Sequence, residues 1–213
     1  MATGWQWLVE NINQRKYEKV AELGVQNGEN SMRLLGNCPG IKEFLAVDLW
    51  KPQPENKGPQ NWVGWAHNSN YYKTKKRLKA FEDRVTIHIV KDYTYNAVHK
   101  FPDGYFDLIF IDADHGYESC KRDILDWLPK VRTGGVLCGH DADWPTVRKA
   151  VEDVFRPGRY DIVKYQGVDR IWYVEVDEGL LLHVKSSLEY HEVVGTINEE
   201  ADGDIGSVPK NGE

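Results

Sequence analysis

Titratable side chains gather directly after two short apolar runs in the second half of the chain. They are Asp112, Asp114 and His115 after the first run, and His140 and Asp141 after the second. Carboxylates suit a hard cation such as Mg²⁺, whereas imidazole suits transition metals such as Mn²⁺. Histidine also titrates near pH 7 without a large perturbation, so it can serve as a general base. This pattern points to proton transfer, cation binding or both.

A glycine turn near the start of the chain offers a second kind of chemistry. Glu22 ends an apolar run, Gly24 and Gly28 punctuate the turn, and Ser31 opens a predicted helix. Glycines let the backbone turn sharply and approach a ligand closely. The spacing differs from G-x-G-x-x-G, so a pyrophosphate is not favoured. An acidic residue about twenty positions later, Asp48, stands where a βαβ unit holds the two hydroxyls of a ribose.

Alternating strands and helices must position these residues. We predict helices at 4–16, 71–81, 94–100, 117–131 and 147–155, and later strands at 84–90, 106–111, 160–165 and 170–176. The pattern predicts an α/β fold of the Rossmann-like, doubly wound kind. Its seven-stranded, mostly parallel sheet has an antiparallel last strand and helices on both faces. Ligands of such sheets lie at the carboxyl ends of the strands, where all these side chains fall.

Two motifs together resemble a known family. Glu22-x-Gly24-x-x-x-Gly28 with Asp48 resembles the cofactor site of class I S-adenosylmethionine-dependent methyltransferases. The Asp-x-Asp-His-x-Tyr-Glu motif at 112–118 and the Gly-His-Asp motif at 139–141 resemble a subgroup of small-molecule and sugar O-methyltransferases and cephalosporin-hydroxylase-like proteins. The resemblance covers roughly residues 18–176. It implies S-adenosyl-L-methionine as cofactor, with its methionine part along the turn and its ribose on Asp48.

The resemblance also implies a site for each role. The implied cofactor-binding residues are Glu22, Gly24, Gly28, Ser31, Asp48, Asp92, Tyr93 and Asp112, with Asp92 or Tyr93 facing the adenine. Related metal-dependent enzymes use one aspartate after strand four and two adjacent residues after strand five. By position, the metal ligands for Mg²⁺ or Mn²⁺ are Asp112 or Asp114, with His140 and Asp141. The catalytic candidates are His115, His140 and Asp112.

A purely structural interpretation of these strand ends stays open. Asp112 and Asp114 could cap the following helix, and His140 with Asp141 could form an ordinary hydrogen-bonded turn. Two alternative functions also stay open. One is a metal-dependent, hydroxylase-like reaction on the same scaffold, and the other is a nucleoside-ligand binding protein without turnover.

The composition of the chain limits the classes of binding partner that are expected. The formal net charge of the 213 residues is −6 and the pI is about 5.7, so neither a nucleic acid nor a membrane surface is expected as partner. We expect a small-molecule hydroxyl acceptor, and a homo-oligomer is possible. Cys38, Cys120 and Cys138 lack metal-ligand spacing and cannot all pair, which indicates a reducing compartment and a cytoplasmic protein.

The chain is predicted to form one domain over 1–190, followed by a mobile acidic tail at 191–213. A proline-rich and then tryptophan-rich loop near 50–70 is expected to be either a lid over the site or a packed loop. The lysines and arginine of 71–81 are expected to form a solvated helix face, with recognition of an anionic substrate as the alternative.

Overall fold

Seven strands form one sheet in the computed structural model, which describes residues 5–52, 64–155, 157–165 and 168–186. The strands are β1 (Lys19–Leu23), β2 (Glu43–Asp48), β3 (Thr86–Lys91), β4 (Phe106–Ile111), β5 (Val131–Gly139), β6 (Asp161–Tyr165) and β7 (Val168–Glu175). The helices are α1 (Trp5–Arg15), α2 (Glu29–Asn37), α3 (Gly64–Lys79), α4 (Thr94–Ala97), α5 (Tyr117–Trp127) and α6 (Pro145–Val154). Single 3₁₀ turns, Val98–Lys100 and Leu128–Lys130, follow α4 and α5.

The sheet order is β3-β2-β1-β4-β5-β7-β6. Pairing is parallel from β3 through β5, and β7 is antiparallel to both of its neighbours. The helices α1, α2 and α3 contact one another in chain order, and so do α4, α5 and α6. The predicted fold class is therefore confirmed, including the single antiparallel strand.

The centre of the sheet is apolar because its strands are covered on both faces. In β4, five of the six side chains are buried, and the run reads as continuous rather than alternating. Leu108 and Phe110 pack into one core cluster with Leu8 of α1, Leu34 of α2 and Leu78 of α3. This core holds the carboxyl ends of β1 and β4 side by side.

The prediction of a loop near 50–70 is wrong for the second half of that range. Helix α3 begins at Gly64 rather than at Tyr71. The first half falls largely at 53–63, which lies outside the described residues, so the choice between a lid and a packed loop stays a prediction.

Tertiary packing explains the earlier start of α3. Asn, Ser and His are weak helix formers, and they dominate the first two turns of this helix. Ala66, Thr74 and Leu78 nevertheless recur on one face of α3, and all three are buried. Packing of that face outweighs the low intrinsic propensity.

The described part of the chain ends in a second compact unit. The chain divides into compact units after Asp177, and residues 178–186 form a short helix. The predicted mobile tail at 191–213 lies outside the described residues. Among the described residues, no helix has the length and hydropathy of a membrane span.

Candidate active site

The glycine turn crosses the carboxyl ends of the central strands. The Gly24 amide donates to the carbonyl of Val47 at 2.8 Å, and the Asp112 amide donates to the carbonyl of Leu23 at 2.7 Å. Gly24 has φ +87°, and a Cβ placed on it would lie 1.9 Å from the carbonyl oxygen of Asp112. Only glycine fits here, because the turn and the end of β4 touch through their backbones.

Asp48 holds the turn in shape. Its Oδ2 accepts hydrogen bonds from the amides of Val25 (3.0 Å) and Gln26 (2.8 Å), and its Oδ1 accepts one from Trp50 (2.7 Å). Burial raises the pKa of Asp48, while these three amides oppose the rise. A carboxylate offers about four acceptor positions, so about one remains for a ligand hydroxyl.

Glu22 lies beneath the turn and is 1% exposed. It accepts hydrogen bonds from Asn30 Nδ2 at 2.9 Å and from the hydroxyl of Ser31. Burial raises the pKa of Glu22 to about 8, and the bonds from Ser31 and Asn30 oppose that rise. A cationic ligand near Glu22 would favour its ionised form.

Three side chains that the sequence analysis missed hold the outside of the turn. The Gln26 carbonyl accepts from Trp50 Nε1 at 2.6 Å and from Thr74 Oγ1 at 3.2 Å, and the Asn27 carbonyl accepts from Arg77. Thr74 and Arg77 lie about fifty positions from the turn in sequence. No local pattern could have linked them to it.

A second cluster lies at the carboxyl ends of β4 and β5. Asp112, His115 and Asp141, here called the trio, each offer one ligand atom, and these atoms lie within 4.8 Å of one another. His115 Nε2 is 2.6 Å from Asp141 Oδ2 and 3.6 Å from Asp112 Oδ1. The contact with Asp141 is an ion pair when the imidazole is protonated, and Nε2 is buried away from solvent. The trio can therefore hold a small cation.

The charges of the trio set the pKa values of its members. Burial lowers the pKa of His115, but the Asp112 and Asp141 carboxylates outweigh it and raise the pKa to about 10. Burial raises the pKa of Asp141, but the hydrogen bonds and charges of His115 and His140 outweigh burial. The net result is a pKa well below the ordinary value of an aspartate. An imidazolium cannot accept a proton, so the base role predicted for His115 requires that it first lose its own proton. That role stays a prediction.

Asp141 also contacts the second predicted base. His140 Nδ1 lies 2.9 Å from Asp141 Oδ1 and 4.0 Å from Asp112 Oδ1. Burial lowers the pKa of His140, and the hydrogen bond to Asp141 with the charge of Asp112 reverses this to a net rise. Asp141 has φ +53°, a strained conformation of the kind that often marks functional sites.

Asp114 lies apart from the trio. Its Oδ1 accepts from the Gly116 amide at 2.9 Å, and its Oδ2 accepts from Ser119 Oγ at 3.3 Å. These bonds tie Asp114 to the turn before α5 and to a side chain of its first turn, but Gly116 is the N-cap of that helix and no side chain caps it. The structure therefore does not show the capping role expected for Asp114. Of the four predicted metal ligands, the trio contains only Asp112 and Asp141, and His115 stands there in place of Asp114 and His140.

Tyr93 and Asp92 follow β3 at the same edge. Asp92 Oδ1 accepts from the Tyr93 amide (2.8 Å) and from Asn96 Nδ2 (2.9 Å), and these bonds, Asn96 first, lower the pKa of Asp92. The Tyr93 ring stacks on Tyr95, with centroids 4.9 Å apart and planes 18° apart. An adenine could lie against such a surface.

One cavity of about 560 Å³ joins the two clusters. The predicted residues that line it are Glu22, Gly24, Asp48, Asp92, Tyr93, Asp112, Asp114, His115, His140 and Asp141. Gly28 and Ser31 do not line it; Ser31 supports Glu22 and Gly28 packs against Thr74. His67 of α3 and Arg33 of α2 also line the cavity, although the sequence analysis did not assign them to the site.

An exposed aromatic ring stands beside the trio. Trp144 packs against His115 with ring centroids 4.7 Å apart, and its side chain is 42% exposed. It precedes α6, where Pro145 occupies the first turn. The ring forms an apolar surface next to the trio.

Solved structures with a similar fold are numerous. They include cofactor-bound Rv0187 from MTB, with 20% identity, TM-score 0.58, and coverage of 83% of this chain and 80% of that one. SAH-bound methyltransferase PaMTH1 of Podospora anserina shows 15% identity, TM-score 0.57, and coverage of 84% and 80%. An O-methyltransferase of Bacillus cereus in complex with SAH shows 15% identity, TM-score 0.55, and coverage of 81% and 80%. These similarities establish the fold.

Sequence comparison covers the same region. An uncharacterized protein of Sinorhizobium fredii, y4gI, is 26% identical over 147 residues, which are 64% of this chain and 14% of that protein. The chain therefore spans only a small part of that relative. A family model described as a methyltransferase domain matches residues 21–142, from the strand before the glycine turn to the residue after Asp141. The chain belongs to this methyltransferase family, which confirms the resemblance seen in its motifs.

Proposed function

We propose that this protein transfers a methyl group from S-adenosylmethionine to a hydroxyl oxygen of a small molecule, with a divalent cation bound by the trio. The observation that carries the proposal is the single cavity shared by the glycine turn and the trio. Methyl transfer needs a cofactor and an acceptor held in line, and one cavity of about 560 Å³ brings the turn and the trio together.

The residues around the turn fit the cofactor. Gly24 lines the cavity beside the end of β4, and Asp48 keeps about one acceptor position for a ribose hydroxyl. Glu22 provides a buried carboxyl where a sulfonium or ammonium group would be favourable. Two of the structural neighbours are complexes with SAH, which supports this choice.

The trio fits a divalent cation. Two carboxylates and one imidazole make a mixed oxygen and nitrogen donor set, which favours Mn²⁺ and still admits Mg²⁺. When bound, such a cation acts as a Lewis acid that lowers the pKa of an acceptor hydroxyl. Asp141 contacts both histidines, and its contact with Nδ1 of His140 holds that ring at the cavity, where neutral His140 would accept the hydroxyl proton.

Trp144 supports an acceptor that carries a ring. Its exposed ring beside His115 offers an apolar surface on which the face of a sugar or other ring could lie. The buried thiols of Cys38, Cys120 and Cys138 support the proposed reducing, cytoplasmic setting.

Three measurements test the proposal. Calorimetric titration with SAH should show binding, and labelled S-adenosylmethionine should label a hydroxyl compound in a panel of sugars and phenols. Titration with Mn²⁺ should give heat with wild type and none with Asp112→Asn. Asp114→Asn is the matched control, because it changes an equivalent carboxylate outside the trio. Absence of Mn²⁺ heat in wild type would remove the cation, and absence of SAH binding would remove the cofactor.

A further inference from the structure

His67, on the first turns of α3, has no role in the fold that the described residues reveal. It lines the cavity, and its Nε2 is buried without a hydrogen-bond partner in the described part of the chain. Buried polar atoms are rarely left unpaired in native proteins, because they lose their bonds to water without replacement. An orphaned ring nitrogen in a ligand cavity suggests that a ligand group completes it.

His67 and Asp48 interact electrostatically. The interaction with His67 lowers the pKa of Asp48, against the larger effect of burial. Both residues line the same cavity, together with Trp50 and Asn70. Because both residues line one cavity, a single ligand can contact both of them.

The hydrogen bonds of Asp48 leave one ribose hydroxyl without a partner. Three of about four acceptor positions on this carboxylate are already taken by the amides of Val25, Gln26 and Trp50. A ribose presents two neighbouring hydroxyls, and each needs a partner once it is buried. Asp48 can serve one of them, so the second needs another group.

The placement of α3 is fixed by the turn itself. Further along the same helix, Thr74 and Arg77 donate to the carbonyls of Gln26 and Asn27. The helix that carries His67 is thereby tied to the backbone that Asp48 holds. The two candidate partners of a ribose are thus positioned by one connected set of hydrogen bonds.

We infer that His67 Nε2 is the second ribose contact, so that Asp48 and His67 each bind one of the two neighbouring hydroxyls of the cofactor. The inference rests on the proposed adenosyl cofactor. Either tautomer of His67 is suitable, because a hydroxyl can donate or accept. His67 is a binding residue in this assignment, with no part in the transfer of the methyl group.

The test compares SAH with its 2′-deoxy and 3′-deoxy analogues by calorimetric titration. Wild type should bind each analogue roughly 5- to 30-fold more weakly than SAH, as expected for the loss of one hydrogen bond. His67→Phe keeps a ring in place without the nitrogen. In that variant, SAH should bind about as weakly as one of the two analogues, and that analogue should lose no further affinity. The other analogue should still be penalised, because its hydroxyl partner is Asp48.

Asn68→Ala is the matched control, because Asn68 is an exposed neighbour on the same helix. It should discriminate among the three ligands as wild type does. If wild type fails to bind SAH, the proposed cofactor is wrong before any variant is made. If wild type binds SAH and His67→Phe still penalises both analogues, the inference about His67 is overturned. Circular dichroism checks folding, and His67→Ala provides the same comparison if His67→Phe does not fold.

Discussion

Substitution of Gly24 by alanine should both destabilise the protein and abolish cofactor binding. The left-handed conformation, φ +87°, costs an alanine about 1–2 kcal/mol. Its Cβ would also overlap the Asp112 carbonyl oxygen at 1.9 Å and the Ala113 Cα at 2.6 Å. Relief of such overpacking typically costs about 1–3 kcal/mol. The expected loss is about 2–5 kcal/mol from a total stability of about 5–15 kcal/mol.

The same overlap explains why Gly24→Ala should also weaken SAH binding. The three atoms that an added Cβ would overlap all belong to the backbone, so no flexible side chain can move aside. The turn must instead separate from the end of β4, which also displaces Asp112 from the cavity. We therefore expect SAH affinity to fall at least 100-fold, even at temperatures where the variant stays folded, because 100-fold corresponds to only about 2.7 kcal/mol.

Gly36→Ala is the control. Gly36 lies on α2, is exposed, and has no atom within 4 Å of an added Cβ. The substitution should raise stability by about 0.5–1 kcal/mol and leave SAH binding unchanged. Urea unfolding and calorimetry of both variants provide the data. A Gly24→Ala protein within about 0.5 kcal/mol of wild type, with normal SAH affinity, would refute the close approach of turn and β4.

Three further predictions concern buried groups. Glu22 has a pKa of about 8 in the folded state against an ordinary 4.5, so its contribution to the stability of the free protein is full below pH 4.5 and is lost as pH rises through 8. Urea unfolding between pH 5 and 9 should show stability falling by up to about 1.4 kcal/mol per pH unit from this group, and Glu22→Gln should flatten the slope; equal slopes would contradict the raised pKa. Asp48→Ala leaves three amides without their acceptor and should cost at least about 1–3 kcal/mol in urea unfolding, with Asp48→Asn costing less. Cys38, Cys120 and Cys138 are buried, and burial raises the thiol pKa values to about 11 for Cys38 and about 12 for Cys120 and well above the ordinary value for Cys138. A chromogenic disulfide reagent at pH 8 should detect no thiol in the native protein and three after denaturation, and fast native reaction would show that the core opens.

Local sequence determined the strands, the glycine turn and the edge of the sheet at which the site lies. Buried strands read directly as short apolar runs, and parallel topology brings their carboxyl ends together whatever the loops do. For that reason Glu22, Asp48, Asp112 and Asp141 could all be assigned to one cavity in advance.

Tertiary structure alone decided which side chain turns toward which partner. Asp114 and His115 are adjacent in sequence, yet the start of α5 engages the first and leaves the second to Asp112 and Asp141. The start of α3 at Gly64 likewise depended on packing against distant elements, and with it came the position of His67. Such choices rest on contacts between residues far apart in the chain, which local propensity and spacing do not contain.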